Sequence, residues 1–226
     1  MAAFNQINLL ILKNKEGMGL GEYRTIASPA QDEFIERRSR FIGRIAPVVS
    51  EEEAQAYIDS IKTEHWDATH NVYAYILRNG IQRYSDDGEP QGTAGVPVLE
   101  VLRKEQLFDV VAVVTRYFGG ILLGAGGLVR AYSHGVKLAV DAATSKIMSE
   151  CTELLLEFGY DFYGKFQHML QHYRFVLLDS DFGAQVQVRL LLRDCDLETL
   201  QKEIIELSSG TVIPQETGKR WDEIPE

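Results

Sequence analysis

The chain has 226 residues, 45% hydrophobic and 25% charged, with a formal net charge of −10. Such a length suits one large domain or two small ones, and such a composition suits a globular chain that buries a core without disulfides. Cys151 and Cys195 have neither a CxxC partner nor a zinc-like spacing, which excludes a disulfide scaffold and reads as two plain thiols in a reducing compartment. The longest early apolar run, Ile7 to Leu12, is too short to span a bilayer and lacks the flanks of a signal peptide, so a cytoplasmic chain without a membrane partner is expected. Residues 149–226 hold 7 Lys+Arg against 15 Asp+Glu, whereas 19–148 hold 14 against 17. An acidic surface repels phosphate backbones, which disfavours nucleic-acid binding by the C-terminal part and leaves Arg37, Arg38, Arg40 and Arg44 as the candidate basic patch.

Residues 1–18 differ in pattern from the rest of the chain and read as an N-terminal extension, with Met18 as an alternative functional start just before the first turn-and-strand signal. Tyr23 to Val49 reads as two strands joined by the polar stretch Ser28 to Glu33. Ser50 is placed to cap a helix and Glu53 to complete a capping box, with Ala54, Tyr57, Ile58 and Ile61 forming its apolar stripe and an end near His65. Asn71 to Arg78 alternates as a strand, and Asn79-Gly80 signals a tight turn into Ile81 to Tyr84. A polar loop, Ser85 to Gly95, precedes a helix from Val96 or Pro97 to about Lys104. The run of apolar residues within Asp109 to Phe118 predicts a central strand buried on both faces. From Leu128, residues Ala131, Tyr132, Gly135, Val136, Ala139, Val140 and Ala143 keep helical spacing for four turns. Beyond Ser149 the pattern becomes strand (Glu153 to Tyr160), helix (Gly164 to Tyr173), strand (Phe175 to Asp179), strand (Gln185 to Arg193), helix (Leu197 to Ser208) and strand (Thr211 to Gln215). That βαββαβ order predicts a ferredoxin-like domain, so the expected division is 19–148 and 149–226.

Three segments read together carry a resemblance: Arg38-Ser39-Arg40-Phe41-Ile42, SDDGEPQGTAG from Ser85 to Gly95, and VVTRYFGGILLGAGGLVRAY from Val113 to Tyr132. They resemble the IMPACT/YigZ family over roughly Tyr23 to Ala143, and the tail resembles the small C-terminal domain of its bacterial members. The resemblance implies an α+β protein. Its N-terminal α/β domain would be like the second domain of ribosomal protein S5, and its C-terminal ferredoxin-like domain would be like those of elongation factor G. Both folds recur in translation proteins. Eukaryotic relatives carry an extra N-terminal domain and act as translational regulators that compete for the activator of a starvation-responsive kinase. No counterpart of that extra domain is expected in these residues, so the specific role is not expected to carry over.

The expected binding surface joins Ser85, Asp86, Asp87, Glu89, Gly92 and Thr93 of the polar loop to the glycine-rich segment. Asp86, Asp87 and Glu89 could hold Mg²⁺, or serve as Asx-turn and capping groups, and structure or partner binding is the stronger reading. Gly119, Gly120, Gly124, Gly126 and Gly127 lie between strand and helix, where free amides can receive a phosphate, although neither a Walker nor a dinucleotide pattern fits. Alternatively they permit positive φ and close packing. Arg116, Tyr117 and Arg130 are expected to converge on the mouth of that loop, Arg116 gripping an anion or pairing with Asp86 or Asp87. His168 and His172 have zinc-like helical spacing without a metalloprotease glutamate and read as a solvated face, and His65 and His70 as loop histidines. No nucleophile motif appears, and no cofactor is implied. The leading expectation is a non-enzymatic binding or regulatory protein whose N-terminal loops dock a translation-associated protein, RNA or the ribosome. The alternatives are a Mg²⁺-dependent enzyme acting on a phosphorylated or nucleotide substrate, and a nucleic-acid module using the four arginines.

Overall fold

A computed structural model describes residues 21–224, so the expectations placed on residues 1–18 lie outside the described residues. The described chain forms two compact units, one over 23–146 and one comprising 21–22 and 147–224. Together they give the mixed α/β class that the sequence predicts.

The first unit contains β1 (Glu22–Ile26, from Tyr23), β2 (Ala30–Glu36), β3 (Ser39–Pro47), α1 (Glu51–Glu64), β4 (His70–Ile76), β5 (Gln82–Ser85), α2 (Gly95–Lys104), β6 (Val110–Tyr117) and α3 (Ala125–Ala142). Its sheet runs β2-β3-β6-β4-β5 with every neighbouring pair antiparallel. β6 is central, and its residues from Val110 to Arg116 are all buried. Helices cover both faces, so an apolar residue is needed at successive positions rather than at alternate ones. On one face α1 sets Ala54, Ile58 and Ile61 against Ala46, Val111 and Val113. On the other α3 crosses β3 so closely that a Cβ on Gly43 would lie 1.9 Å from the Gly135 carbonyl oxygen. Ser50 caps α1 as expected, its hydroxyl accepting from the Glu53 amide at 3.2 Å, while the Glu53 carboxylate accepts at 2.8 Å from the Val49 amide, one residue before the amide that a capping box uses.

Three strands, not two, occupy Glu22–Pro47, and the polar stretch expected to be a loop lies largely in β2. β2 is the sheet edge, mostly exposed, so Gln31, Asp32 and Glu33 meet water and give no alternating apolar signal. The true turn is Arg37-Arg38, with φ of 45° and 65°. Between the paired Glu36 and Ser39, two positive φ values make a two-residue hairpin turn of the I′ kind.

The second unit holds β7 (Ser145–Phe158, from Ile147), α4 (Tyr160–Leu170), β8 (Phe175–Phe182), β9 (Val186–Arg193), α5 (Asp194–Leu207) and β10 (Gln215–Asp222). These strands lie in the order β10-β7-β9-β8, all antiparallel, which is the ferredoxin-like arrangement. Leu154, Leu156, Phe158, Val188 and Leu190 of the sheet close on Phe162 and Phe166 of α4 and on Leu200 and Ile204 of α5. Three element starts differ from expectation by four residues or more. β7 begins at Ser145 rather than Glu153, its first half being mostly exposed or half-buried. α4 begins at Tyr160, directly after the extended Gly159. The last strand starts at Gln215 because Thr211 and Val212 instead close the end of α5, the Thr211 hydroxyl donating to the Ser208 carbonyl at 2.7 Å.

Because the atoms that a Gly43 side chain would strike are backbone, Gly43→Ala must part β3 from α3. It is expected to cost about 3 kcal/mol in urea unfolding, whereas Gly92→Ala in an exposed loop, where nothing lies within 4 Å of the new methyl, is expected to cost only the strain of φ 75°.

Candidate functional site

Side chains alternate across a strand, so neighbours on β6 point to opposite faces. Arg116 therefore enters the face covered by α3, while Tyr117 turns to the α1 side. There the Tyr117 hydroxyl donates to Asp67 at 3.1 Å and meets His65 Nδ1 at 2.8 Å. Burial, followed by the Asp67 carboxylate, pushes the Tyr117 phenol upward. The expected convergence of Arg116, Tyr117 and Arg130 thus fails for Tyr117. It fails for Arg130 as well, which lies one groove away beside Arg37, Leu123, Gly127 and His134.

Arg116 is the centre of a buried polar cluster. Its guanidinium lies 5.4 Å from the ring centres of both Phe41 and Phe118. Nη1 donates to Glu89 Oε1 at 2.5 Å, and the Tyr132 hydroxyl donates to the same oxygen at 2.7 Å. The side chains of Arg116 and Glu89 are only 5% and 4% exposed. A charge so buried needs its counter-charge. Burial and the Glu89 carboxylate together push the Tyr132 phenol far upward, so it serves as a neutral donor. His70 Nδ1 donates to the Asp87 carbonyl at 2.7 Å, which leaves its Nε2 facing Glu89 Oε1 at 3.7 Å. Arg116 accordingly pairs with Glu89 and not with Asp86 or Asp87.

Those two aspartates have other work. Asp86 Oδ1 accepts from the Ala94 and Gly95 amides at 3.1 and 2.8 Å, and its Oδ2 from Gly92 at 2.8 Å. It supplies the anionic cap that α2 lacks, since Ala94 has no capping side chain. Asp87 accepts from the Asn71 amide at 2.6 Å and pairs with Lys62 at 3.1 Å. The Ser85 hydroxyl accepts from the Asp87 amide, and the Thr93 hydroxyl donates to Pro90 at 2.6 Å. The three carboxylates serve three separate sets of donors, and among the described residues no group of His, Cys, Asp or Glu assembles a metal site.

The glycines divide by duty. A Cβ on Gly119 would lie 2.1 Å from the Arg38 carbonyl oxygen, so this glycine lets the Arg37-Arg38 turn rest on the loop. Its amide donates to Ser39 Oγ at 3.1 Å. Gly120 and Gly124 adopt φ of 81° and 70°, which favours glycine. Gly126 and Gly127 lie in the first turn of α3, which has no side-chain cap. Phe118, just before these glycines, and Ile121 and Leu122, among them, are 45%, 39% and 80% exposed. A cleft of about 360 Å³ opens beside them, lined by Thr69, His70, Glu89, Arg116, Phe118, Leu122, Leu123 and Gly124 among others.

Of the four arginines first grouped as a patch, Arg40 pairs with Glu33 at 2.6 Å. Arg44 is buried and pairs with Glu64 at 3.0 Å. Arg37 donates to the Leu122 carbonyl at 3.3 Å, which brings the turn into the glycine loop. His168 and His172 rings are 5.8 Å apart, but α4 ends at Leu170, before His172. Sequence reasoning missed His70 and Tyr132 as members of the cluster and Phe118 and Leu122 as its exposed rim. The available signal was bulky apolar residues set among glycines, where a loop has no core in which to bury them.

Removing Glu89 strands a buried guanidinium. Glu89→Ala is expected to cost about 3–5 kcal/mol in urea unfolding and Tyr132→Phe about 1.5–3 kcal/mol. Equal, small losses would show that Arg116 reaches solvent. The thiols give a second check. Cys151 is buried and its thiol is raised to about 11, chiefly by burial, while Cys195 is exposed. Since the thiolate is the nucleophile, Ellman's reagent near pH 8 is expected to titrate one thiol per native chain and two after denaturation.

Residues 37–140 match the Impact N-terminal domain family, and residues 156–211 match a domain of unknown function, DUF1949. The IMPACT family member YvyE of Bacillus subtilis is 39% identical over 199 residues, covering 84% of this chain and 89% of that protein. The IMPACT family member YigZ of Escherichia coli is 35% identical over 180 residues, covering 78% and 88%. A crystal structure of a hypothetical protein superposes with a TM-score of 0.58 at 32% identity, covering 88% of this chain and 99% of that one. The Arg116–Glu89–Tyr132 cluster and the glycine loop lie within the first matched segment, and with both domains matched in order the chain belongs to the IMPACT family.

Proposed function

We propose that this protein is a non-enzymatic binding and regulatory protein of the translation apparatus, acting in the cytoplasm and docking its partner through the glycine loop of the first unit. The observation that carries this reading is the exposure of Phe118, Ile121 and Leu122 at the mouth of a cleft whose charged residues are already paired with one another. Exposed apolar side chains on a loop anchored by a rigid cluster suit a docking surface. The carboxylates that a Mg²⁺-dependent reaction would need cap α2, hold Lys62 or neutralise Arg116, which favours binding over chemistry. Two free thiols agree with a reducing compartment. Among the described residues no helix is long and apolar enough to cross a membrane. The link to translation rests on family kinship.

Wild-type protein is expected to co-sediment with ribosomes or their associated factors at low salt, in extracts of normal or starved cells. An Ile121→Ser, Leu122→Ser variant, which alters exposed positions, is expected to fold normally and to remain in the supernatant. Wild type that stays in the supernatant under both conditions, or a variant that pellets equally well, would refute this reading.

A further inference from the structure

The hairpin turn that rests on the glycine loop places Arg37 and Arg38 at the two positions of an I′ turn, with φ of 45° and 65°. Asn and Gly are the residues that such a turn favours, and a bulky side chain at positive φ is strained. Strain of this sort persists only where the surrounding structure enforces it, and it clusters at ligand sites.

Charge pairing singles out the same place. The chain carries an excess of carboxylates. Among the described residues of the first unit, every arginine other than Arg37, Arg38 and Arg130 has a carboxylate oxygen of a residue distant in sequence, or one helical turn away, within 4.0 Å. Arg38 and Arg130 have no such partner, and Arg37 reaches only its chain neighbour Glu36, at 4.0 Å. These are not scattered positions. Arg37 and Arg130 line one groove of about 270 Å³, with His134 on the wall and Glu36 as its acidic member. Leu123 lines this groove and also the apolar cleft that Phe118 borders, so the two depressions meet at the glycine loop. Phe118 is 45% exposed, and the Arg116 guanidinium lies near its ring.

We propose that this double depression binds single-stranded RNA, with Arg37 and Arg130 of the groove, and Arg38 beside Arg37 in the turn, holding phosphodiesters and Phe118 offering a stacking face to a base. Guanidiniums without a carboxylate held close bind phosphate oxygens as forks, and an aromatic face beside a basic groove is the combination that single-stranded nucleic acid uses. The patch differs from the one legible in sequence: Arg40 and Arg44 leave it because Glu33 and Glu64 neutralise them, and Arg130 joins it. This proposal deepens the binding reading above and rests on it.

The test is fluorescence anisotropy of a short labelled oligouridine with full-length protein at low and moderate salt. Affinity is expected to fall as salt rises. Arg130→Gln is expected to weaken binding about tenfold and to flatten the salt dependence, whereas Arg40→Gln is expected to change it less than about twofold because that guanidinium is already paired. The decisive variant is Arg37→Asn, Arg38→Gly, which suits the turn better. It is expected to unfold at no lower a temperature than wild type, the relieved turn strain offsetting the lost Arg37–Leu122 bond, yet bind RNA about tenfold more weakly. The proposal is overturned if wild type shows no salt-dependent binding, if either groove variant binds as wild type does, or if uridine monophosphate displaces the RNA at equal concentration, which would mark a small-molecule site. Loss of RNA binding with ribosome co-sedimentation retained would sink this inference alone. Co-sedimentation retained by the Ile121→Ser, Leu122→Ser variant, whose substitutions leave Phe118 and the three arginines in place, would overturn the docking reading alone.

Discussion

A buried guanidinium between two aromatic rings is an expensive object, and the first unit is arranged around making it tolerable. Arg116 can sit at the end of β6 only because Glu89 comes down from the polar loop to neutralise it and Tyr132 on α3 donates to the same carboxylate oxygen. Three segments far apart in sequence are thereby fixed to one another: the acidic loop, the end of the central strand and the second turn of α3. The remaining acidic residues of the loop then fall into place as supports, Asp86 at the start of α2 and Asp87 between Lys62 and the Asn71 amide. What looks in sequence like a concentration of free negative charge is a set of bonds already made.

That rigidity gives meaning to the exposed residues. A glycine-rich loop with nothing beneath it would fold its apolar side chains inward at random. Here the amide of Gly119 is held by Ser39, Arg37 holds the Leu122 carbonyl, and the close fit of Gly119 under Arg38 leaves no room for slippage. Phe118 and Leu122 are therefore presented outward from a fixed base. Presentation of this kind lowers the ordering cost of association, which is the usual advantage of a preformed binding loop.

Much of this architecture was legible from residue pattern. The valine run of β6 announced a strand covered on both faces, Ser50 with Glu53 announced the start of α1, and the spacing from Leu128 to Ala143 announced α3 because one stripe of a helix must meet the sheet. Edge strands were the part that pattern could not reach. β2 and β10 carry Gln, Asp, Glu, Lys and Arg because most of their positions meet water, and only isolated residues such as Phe34 pack inward, too few to give an alternating pattern. The site was legible as a neighbourhood and not as a wiring diagram. Loops Ser85–Gly95 and Arg116–Tyr132 do meet, yet the choice of Glu89 over Asp86 or Asp87 depends on which carboxylate reaches the α3 face. The separation of Tyr117 from Arg116 follows from strand alternation, which the expected convergence of the two side chains had overlooked.

The same polar edges have a further consequence for the second unit. β8 and β10 each pair on one side only, and a bare strand edge is a template on which another chain can assemble. Each is interrupted: the register shifts between Leu177 and Asp179 in β8 and between Glu216 and Gly218 in β10. Asp179 and Asp181 charge one margin, and Lys219 and Arg220 charge the other. Interrupted, charged margins of this kind are poor templates for another strand, so the open sheet of the second unit carries its own guard against edge-to-edge association.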